Sequence, residues 1–254
     1  EVGPNAAFVL APVIASLGLR VTDWRGILLA SALVAFVLSA LFLLFSPAGR
    51  FPGSPPHLVH LRSLYRKPLL WAMGGFFALA ASSTYGVFSI MPTYLVDEAG
   101  FSLDLVNGVI GASRISGVAM VFLSGVLVDK IGTVRLVAAV ILITGVLTSL
   151  VGMTQGIPLL VIVFLQPIVI SAFFPAAISA FAYLGPPEIR NVGVSMIIPF
   201  VNLISGGLFP SVMGYLGDIG RTGLGFSVFG LMMVGSLALL PLLSRGVAEG
   251  EAPA

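Results

Sequence analysis

The chain alternates between long apolar runs and short polar segments. A helix needs about 20 consecutive, mostly apolar residues to cross the hydrocarbon core of a bilayer. Eight runs of this kind are present, and we name them spans A to H. They cover approximately residues 3–19, 26–46, 68–95, 104–127, 134–153, 157–184, 191–216 and 223–244. The pattern therefore predicts an all-α polytopic membrane protein.

One apolar stretch is too long for a single span. Residues 136–187 carry no charge, and the turn sequence TQGIP at residues 154–158 divides them into spans E and F. These runs are continuously apolar, whereas the strands of a membrane β-barrel alternate between apolar and polar residues. Helices are therefore the expected spanning elements.

Composition supports lipid as the solvent and excludes several kinds of chemistry. Of the 254 residues, 58% are hydrophobic and 9% are charged, whereas soluble domains carry about 25% charged residues. The net charge of +2 does not indicate a nucleic-acid partner. There is no cysteine, and His57 and His60 share one polar loop. Spans C to H hold no carboxylate pair and no nucleophile–histidine set, so we expect no metal, no cofactor and no enzymatic activity.

The distribution of lysine and arginine predicts the orientation. Eight basic residues fall in loops on one side, and the opposite side has three basic residues beside three acidic ones. The eight are Arg50, Arg62, Arg66, Lys67, Lys130, Arg135, Arg190 and Arg245. By the positive-inside rule this side and the C-terminus are cytoplasmic. We expect an integral protein of a bacterial inner membrane.

The only long connection divides the chain. Residues 47–67 contain four of the chain's prolines and the basic segment HLVHLRSLYRK, which indicates an extended cytoplasmic linker. Two spans precede it in residues 1–46, six follow in residues 68–245, and residues 246–254 form a cytoplasmic tail. The sequence GPNAAFVLAPVIASLGLR in span A is similar to VNLISGGLFPSVMGYLGD in span G. Proline- and glycine-interrupted segments at matching places are typical of duplicated transporter folds.

The repeat has a consequence for the start of the chain. If spans A and B correspond to G and H, Glu1 lies inside the membrane and four spans of the same protein are missing before it. A buried carboxyl group has a raised pKa. Glu1 is therefore the candidate for a coupling proton.

Three motifs resemble those of the major facilitator superfamily. The segment GVLVDKIGTVR at residues 125–135 is similar to the family's loop between the second and third helices of a half, although Lys130 stands where arginine is commoner. GPPEIRN before span G resembles the Pro-x-x-x-Arg start of its eleventh helix. The segment DWRG at residues 23–26 resembles the Gly-Trp-Arg start of its sixth helix.

The resemblance implies a secondary transporter that works by alternating access, with this chain as helices five to twelve. It implies a six-helix C-terminal bundle, the last two helices of an N-terminal bundle, and a gating motif. The gating residues would be Gly125, Asp129, Lys130, Gly132, Arg135, Glu188 and Arg190. The branch that it suggests is the one holding nitrate, cyanate, oxalate and monocarboxylate porters.

One cation lies near the middle of a span. Arg114, in the segment GASRISGVAM, is close to the centre of span D, and intramembrane charges usually mark functional sites. Four polar residues at similar depth are candidates to bind a solute with it. They are Tyr85, Asn107, Gln166 and Asn202. Asn107 and Arg114 are spaced to share one helix face.

This set predicts a porter for a small anion, with Arg114 as counter-charge, in contact with membrane lipid. Three alternatives remain open. Arg114 is structural if it caps backbone carbonyls of a broken neighbouring helix. The eighteen phenylalanines also allow an exporter of amphipathic, drug-like compounds. A membrane subunit that keeps the fold without transporting is the third.

Overall fold

The computed structural model describes residues 7, 10, 14, 17–46, 64–181, 183 and 187–251, of which residues 187–190 and 249–251 are described without their side chains. All regular secondary structure in these ranges is helical, which confirms the all-α prediction. Most of span A and most of the 47–67 connection lie outside the described residues. The chain forms two compact units, residues 3–55 and residues 56–254 together with residues 1–2.

Seven helices in the described ranges are long and apolar enough to cross a membrane. They are α1 (Trp24–Phe45), α2 (Pro68–Glu98), α3 (Leu103–Ile131), α4 (Thr133–Val151), α5 (Gly156–Phe181), α6 (Asn191–Asp218) and α7 (Thr222–Ala248). They correspond to predicted spans B to H, and no end differs by more than four residues. The α-helical conformation of α6 already starts at Pro187.

Helix α1 belongs to the smaller unit. Asp23 caps its start, because its Oδ1 accepts a hydrogen bond of 2.9 Å from the Gly26 backbone N–H. The guanidinium of Arg25 lies 4.8 Å from the centre of the Trp24 ring. None of the 22 residues of α1 is buried in the structure. A helix that is apolar on all sides needs lipid or other helices around it.

The larger unit contains α2 to α7 around one hydrophobic core. Helix α3 packs along α5, α4 packs along both α5 and α7, and α2 contacts α5, α6 and α7. The Phe77 ring of α2 packs against three phenylalanine rings of α5, with centres 5.3 to 6.0 Å away. These three are Phe173, Phe174 and Phe181.

Small residues bring α4 and α7 into close contact. Each helix carries a Gly-Ser-Gly set with the same spacing of four and then three residues. The sets are Gly145, Ser149 and Gly152 in α4, and Gly223, Ser227 and Gly230 in α7. The Ser149 hydroxyl donates to the Ser227 carbonyl at 3.3 Å, and the Ser227 hydroxyl donates to the Ser149 carbonyl at 3.2 Å. Backbone contact through small residues is a common way for membrane helices to associate.

Helices α2 and α6 are irregular near their middles. A π-helical segment interrupts α2 at Ser82–Gly86, and another interrupts α6 at Leu203–Leu208. The two segments pack together, and a Cβ added to Gly86 would lie 2.2 Å from the Phe209 ring. A π-turn holds an extra residue, which changes the helical register and leaves a carbonyl for another donor. These segments therefore place irregular backbone in the middle of the unit.

Candidate functional site

Arg114 of α3 is buried against the irregular segment of α2. Its side chain is 3% exposed. Its Nη2 donates a 3.0 Å hydrogen bond to the carbonyl of Thr84, which lies in the π-helical segment. Its guanidinium carbon lies 4.0 Å from the centre of the Phe88 ring, within the range of a cation–π interaction. The arginine therefore ties α3 to two successive turns of α2.

The pocket around Arg114 is narrow. It is lined by residues of α2, α3 and α5, namely Val87, Phe88, Met91, Ile110, Arg114, Val163, Gln166 and Pro167. Its free volume is about 10 Å³, which is roughly the space for the centre of one water molecule. In this conformation the pocket is closed to a solute. Two of the five predicted binding residues, Arg114 and Gln166, line this pocket, and Tyr85 lies close enough to Arg114 to interact with it electrostatically.

Gln166 connects three helices. It is 2% exposed. Its Nε2 donates to the hydroxyl of Ser83 in α2 at 2.7 Å and lies 3.5 Å from the hydroxyl of Thr148 in α4. Ser83 and Thr84 are consecutive, so Gln166 and Arg114 hold neighbouring residues of the same π-helical segment. Gln166 is therefore placed to hold the backbone that Arg114 contacts.

The other three predicted residues lie outside this pocket. Tyr85 follows Thr84 and is 39% exposed. Asn107 and Asn202 are exposed on α3 and α6. On α6, Asn191 and Ser195 are also exposed and share a face with Asn202, because they are spaced by four and seven residues. Polar side chains are therefore exposed on two of the candidate spanning helices, α3 and α6.

The loop between α3 and α4 is very short. Helix α3 ends at Ile131 and α4 begins at Thr133, so the single residue Gly132 reverses the chain with φ of 83°. Glycine adopts this left-handed conformation without strain. Asp129 and Lys130 are exposed beside it. This geometry gives a physical reason for the glycine in the predicted gating motif.

The remaining motif residues are placed less closely together. Arg135 is exposed in the first turn of α4. A Cβ added to Gly125 would meet no described atom within 4 Å, so close helix packing does not explain that glycine here. Glu188 and Arg190 lie in the first turn of the helix that starts at Pro187, without described side chains. Glu1 lies outside the described residues.

Sequence reasoning missed Ser83, Thr84, Phe88 and Thr148, which surround Arg114 and Gln166. The cluster SST at residues 82–84 was visible as three polar residues inside an apolar span. The hydrogen bond between Arg114 and the Thr84 carbonyl forms in the π-helical segment, and no residue of that segment predicts a π-helix. In the described part of the chain, no group of three or more histidine, aspartate or glutamate side chains could hold a metal ion.

This fold, with long apolar helices and buried polar groups, defines a polytopic helical membrane protein. The sequence profile described as Major Facilitator Superfamily matches residues 1–153, more than half of the chain. The chain therefore belongs to the major facilitator superfamily. It is a membrane transporter and not an enzyme. No curated protein sequence matches it significantly.

A solved structure supports the same fold. The chain is similar to a bacterial homologue of the human lysosomal transporter Spinster, solved in an inward-facing and unoccupied conformation. The TM-score is 0.66 with 17% sequence identity, and the match covers 98% of this chain and 67% of that one. At this identity the likeness concerns the fold alone. It confirms the polytopic helical architecture that the sequence predicts.

Proposed function

We propose that the protein carries a small anionic solute across the membrane by alternating access, with Arg114 as the counter-charge. The observation that carries this proposal is the position of the guanidinium. Arg114 is 3% exposed and lies in a helix of 29 residues, eleven residues after its start. Burying a charge at membrane depth is costly, and such residues usually serve a substrate or ion pathway. The planar guanidinium fork suits carboxylate, nitrate and similar oxyanions.

The closed pocket implies a conformational step. In the described conformation the guanidinium contacts the Thr84 carbonyl and the Phe88 ring. We propose that an anion reaches it when the π-helical segment of α2 moves. An oxyanion would then exchange with the carbonyl as hydrogen-bond acceptor. Tyr85, Asn107 and Asn202, which are exposed in this conformation, would line the route to the pocket.

The test uses two variants of Arg114 in the full-length protein, reconstituted in proteoliposomes. Arg114→Lys keeps the charge but loses the fork, so nitrate and small carboxylates should bind weakly in a thermal-shift assay. Arg114→Gln should fold and yet fail to transport them. Arg221→Gln is the matched control, because Arg221 is an exposed arginine of the α6–α7 loop.

Two results would contradict the proposal. Normal anion uptake by Arg114→Gln would show that the cation does not serve the solute. Misfolding of both Arg114 variants, with a stable Arg221→Gln control, would assign the arginine to a structural role as the cap of the Thr84 carbonyl. The bond to that carbonyl makes this the main competing interpretation.

We also propose the topology of the whole chain. Residues 47–67 would form a cytoplasmic linker between the last two helices of an N-terminal bundle and a six-helix bundle at 68–245, with a cytoplasmic tail at 246–254. The chain has no cysteine, so single cysteines report cleanly. Ser54→Cys and Ala252→Cys should resist an impermeant thiol reagent outside intact cells, whereas Gln155→Cys should react. The reverse pattern would overturn the orientation.

A further inference from the structure

A short segment of α2 forms one wall of the Arg114 pocket. Residues Val87–Thr93 are α-helical for seven residues and lie between two π-helical segments, Ser82–Gly86 and Tyr94–Glu98. Three residues of the Val87–Thr93 segment line the pocket, namely Val87, Phe88 and Met91. The pocket is closed in this conformation, so the movement of α2 proposed above involves this segment.

The backbone of α2 is interrupted on both sides of the Val87–Thr93 segment. A π-turn holds an extra residue and changes the helical register. Within the segment, Pro92 has no N–H and cannot donate the usual helical hydrogen bond. Membrane and soluble helices alike bend at π-turns and prolines. The places where α2 can bend therefore lie in this segment and at its two ends.

Beyond the segment, α2 is attached to α4 and α7. The Tyr94 hydroxyl donates a 3.2 Å hydrogen bond to the carbonyl of Val151, the last residue of α4. The Tyr94 ring packs edge-on against Phe226 of α7, with ring centres 5.1 Å apart. Glu98 accepts a hydrogen bond from the hydroxyl of Thr222, the first residue of α7. The first and last residues of the second π-helical segment are thus each bonded to another helix.

The bond of Glu98 can open at low cost. It borders a polar cleft of about 630 Å³, which Tyr94, Glu98 and Gly223 help to line. Glu98 is exposed there. Burying an unpaired charge is costly, whereas a carboxylate that returns to water keeps its hydrogen bonds. This bond is therefore able to break and form again as α2 moves.

We propose that Tyr94 and Glu98 form a latch, which holds the Val87–Thr93 segment in the closed position and releases it when a solute enters. This inference rests on the alternating access proposed above and deepens it. Neither residue lines the Arg114 pocket, so both are positioning residues that act through the segment between them and the pocket.

The test measures the opening of the pocket with a single cysteine, since the chain has none. Val163 lines the pocket and is 1% exposed, so Val163→Cys should react with a small water-soluble thiol reagent only when the pocket opens. In the full-length protein, Tyr94→Phe removes one bond and keeps the ring, and Thr222→Ala removes the other. Each should raise the rate of modification about threefold, the effect of one hydrogen bond in a membrane protein. Both together should raise it about ninefold.

Three further variants make the result specific. Thr222→Ser keeps the hydroxyl and should leave the rate unchanged. Val140→Cys reports general loosening, because Val140 of α4 is 4% exposed and does not line the pocket, and its rate should not respond to the latch variants. Met91→Cys, on the moving segment, repeats the measurement if Val163→Cys does not fold.

Two outcomes would overturn the latch. One is an unchanged rate at the pocket cysteine in the double variant. The other is an equal rise at Val140→Cys, which would show that the two bonds only stabilise the fold. The assay contains no anion and measures no transport, so its result does not depend on the role proposed for Arg114. Conversely, loss of uptake in Arg114→Gln would support the anion site even if the latch failed.

Discussion

Polar groups lie in the core of the larger unit in two different settings. One is the contact between α4 and α7, and the other is the set of contacts that α2 makes. At the Gly-Ser-Gly sets of α4 and α7 both helices are regular, and each serine hydroxyl donates to a carbonyl of the other helix. In α2 the backbone itself is irregular, and the bonds come from Arg114 and Gln166 of other helices.

The two regions also differ in how fully their polar groups are satisfied. Among the described residues, the buried hydroxyls of Ser82 and Thr84 in the α2 segment have no hydrogen-bond partner. Both serines of the α4–α7 contact have one, although the buried hydroxyl of Thr144 in α4, next to Gly145, has none among the described residues. A region with unsatisfied groups and irregular backbone loses less when it rearranges than a region of close backbone contact. We therefore expect α4 and α7 to move as a rigid pair and α2 to be the helix that changes conformation.

The largest loss of stability is expected from Gly230→Ala, at the contact between α4 and α7. The added Cβ would lie 2.3 Å from the backbone N of Ser149 and 2.4 Å from the carbonyl of Gly145. Backbone atoms cannot rotate away from the new methyl group as a side chain can. We therefore expect the free energy of unfolding to fall by about 1–3 kcal/mol, as for overpacking of a core. The thermal midpoint of the protein in detergent should fall clearly.

Two controls define this prediction. Gly125→Ala in α3 meets no described atom within 4 Å, so it should be neutral or stabilise by up to about 1 kcal/mol through helix propensity. Ser149→Ala should not rescue Gly230→Ala, because the clash with backbone remains. A normal midpoint for Gly230→Ala would mean that the two helices are not in the close contact described.

The next largest effect is expected in the irregular region, from Gln166→Leu. This change removes the donor to Ser83 and Thr148 and should cost about 1 kcal/mol, since interhelical hydrogen bonds in membranes average about 0.6 kcal/mol each. Transport should fall more than stability does, because Gln166 lines the Arg114 pocket. Uptake and thermal midpoint are measured together, with the exposed Gln155→Leu as control. Loss of stability with unchanged uptake would make Gln166 a structural residue only.

The positions of the helices could be predicted from the sequence, but their irregularities could not. Hydrophobic runs depend on local composition, so the predicted end of span C at residue 95 lies close to the observed Glu98. The segment Ser82–Gly86 contains no proline, and the residues that contact its backbone, Arg114 and Phe209, come from other helices. Pro92 lies in a short α-helical stretch, Val87–Thr93, between this segment and a second π-helical segment at Tyr94–Glu98.

The candidate site was predictable to a similar degree. Arg114 and Gln166 stand out because charged and amide side chains are rare in apolar spans, and the structure places both in one pocket. Asn107 lies seven residues before Arg114, about 10 Å nearer the start of α3, and is exposed, because packing between distant parts of the chain decides which face of a helix is covered. The Gly-Ser-Gly sets of α4 and α7 can be read directly from the sequence. Their pairing could not be predicted, because it joins residues 78 positions apart.

The substitution Asp129→Asn tests whether the end of α3 takes part in the proposed movement of α2. Asp129 is exposed at the cytoplasmic end proposed for α3 and lies 15 residues after Arg114, about 22 Å at 1.5 Å per residue. A charge–dipole contact made in one conformation is worth about 0.3–1 kcal/mol, so transport should slow about two- to fivefold. Substrate affinity should stay the same. Asp97→Asn, at the exposed end of α2, is the control, and an unchanged rate for Asp129→Asn would leave that residue an ordinary surface charge.

The smallest effects should come from the two serines of the rigid pair. Ser149→Ala removes a hydroxyl that donates only to the Ser227 carbonyl among the described acceptors, so it should cost about 0.6 kcal/mol. Ser227→Ala should cost less, because its hydroxyl proton is shared between the Ser149 carbonyl and the Gly223 carbonyl of its own helix, at 3.2 and 3.1 Å. Thermal midpoints of the single and double variants, with transport measured in parallel, check this order. Because close backbone contact rather than these bonds holds α4 to α7, uptake should stay normal in all three. A loss of uptake in the double variant would show that the rigid pair also moves during transport, and the contrast with α2 would fail.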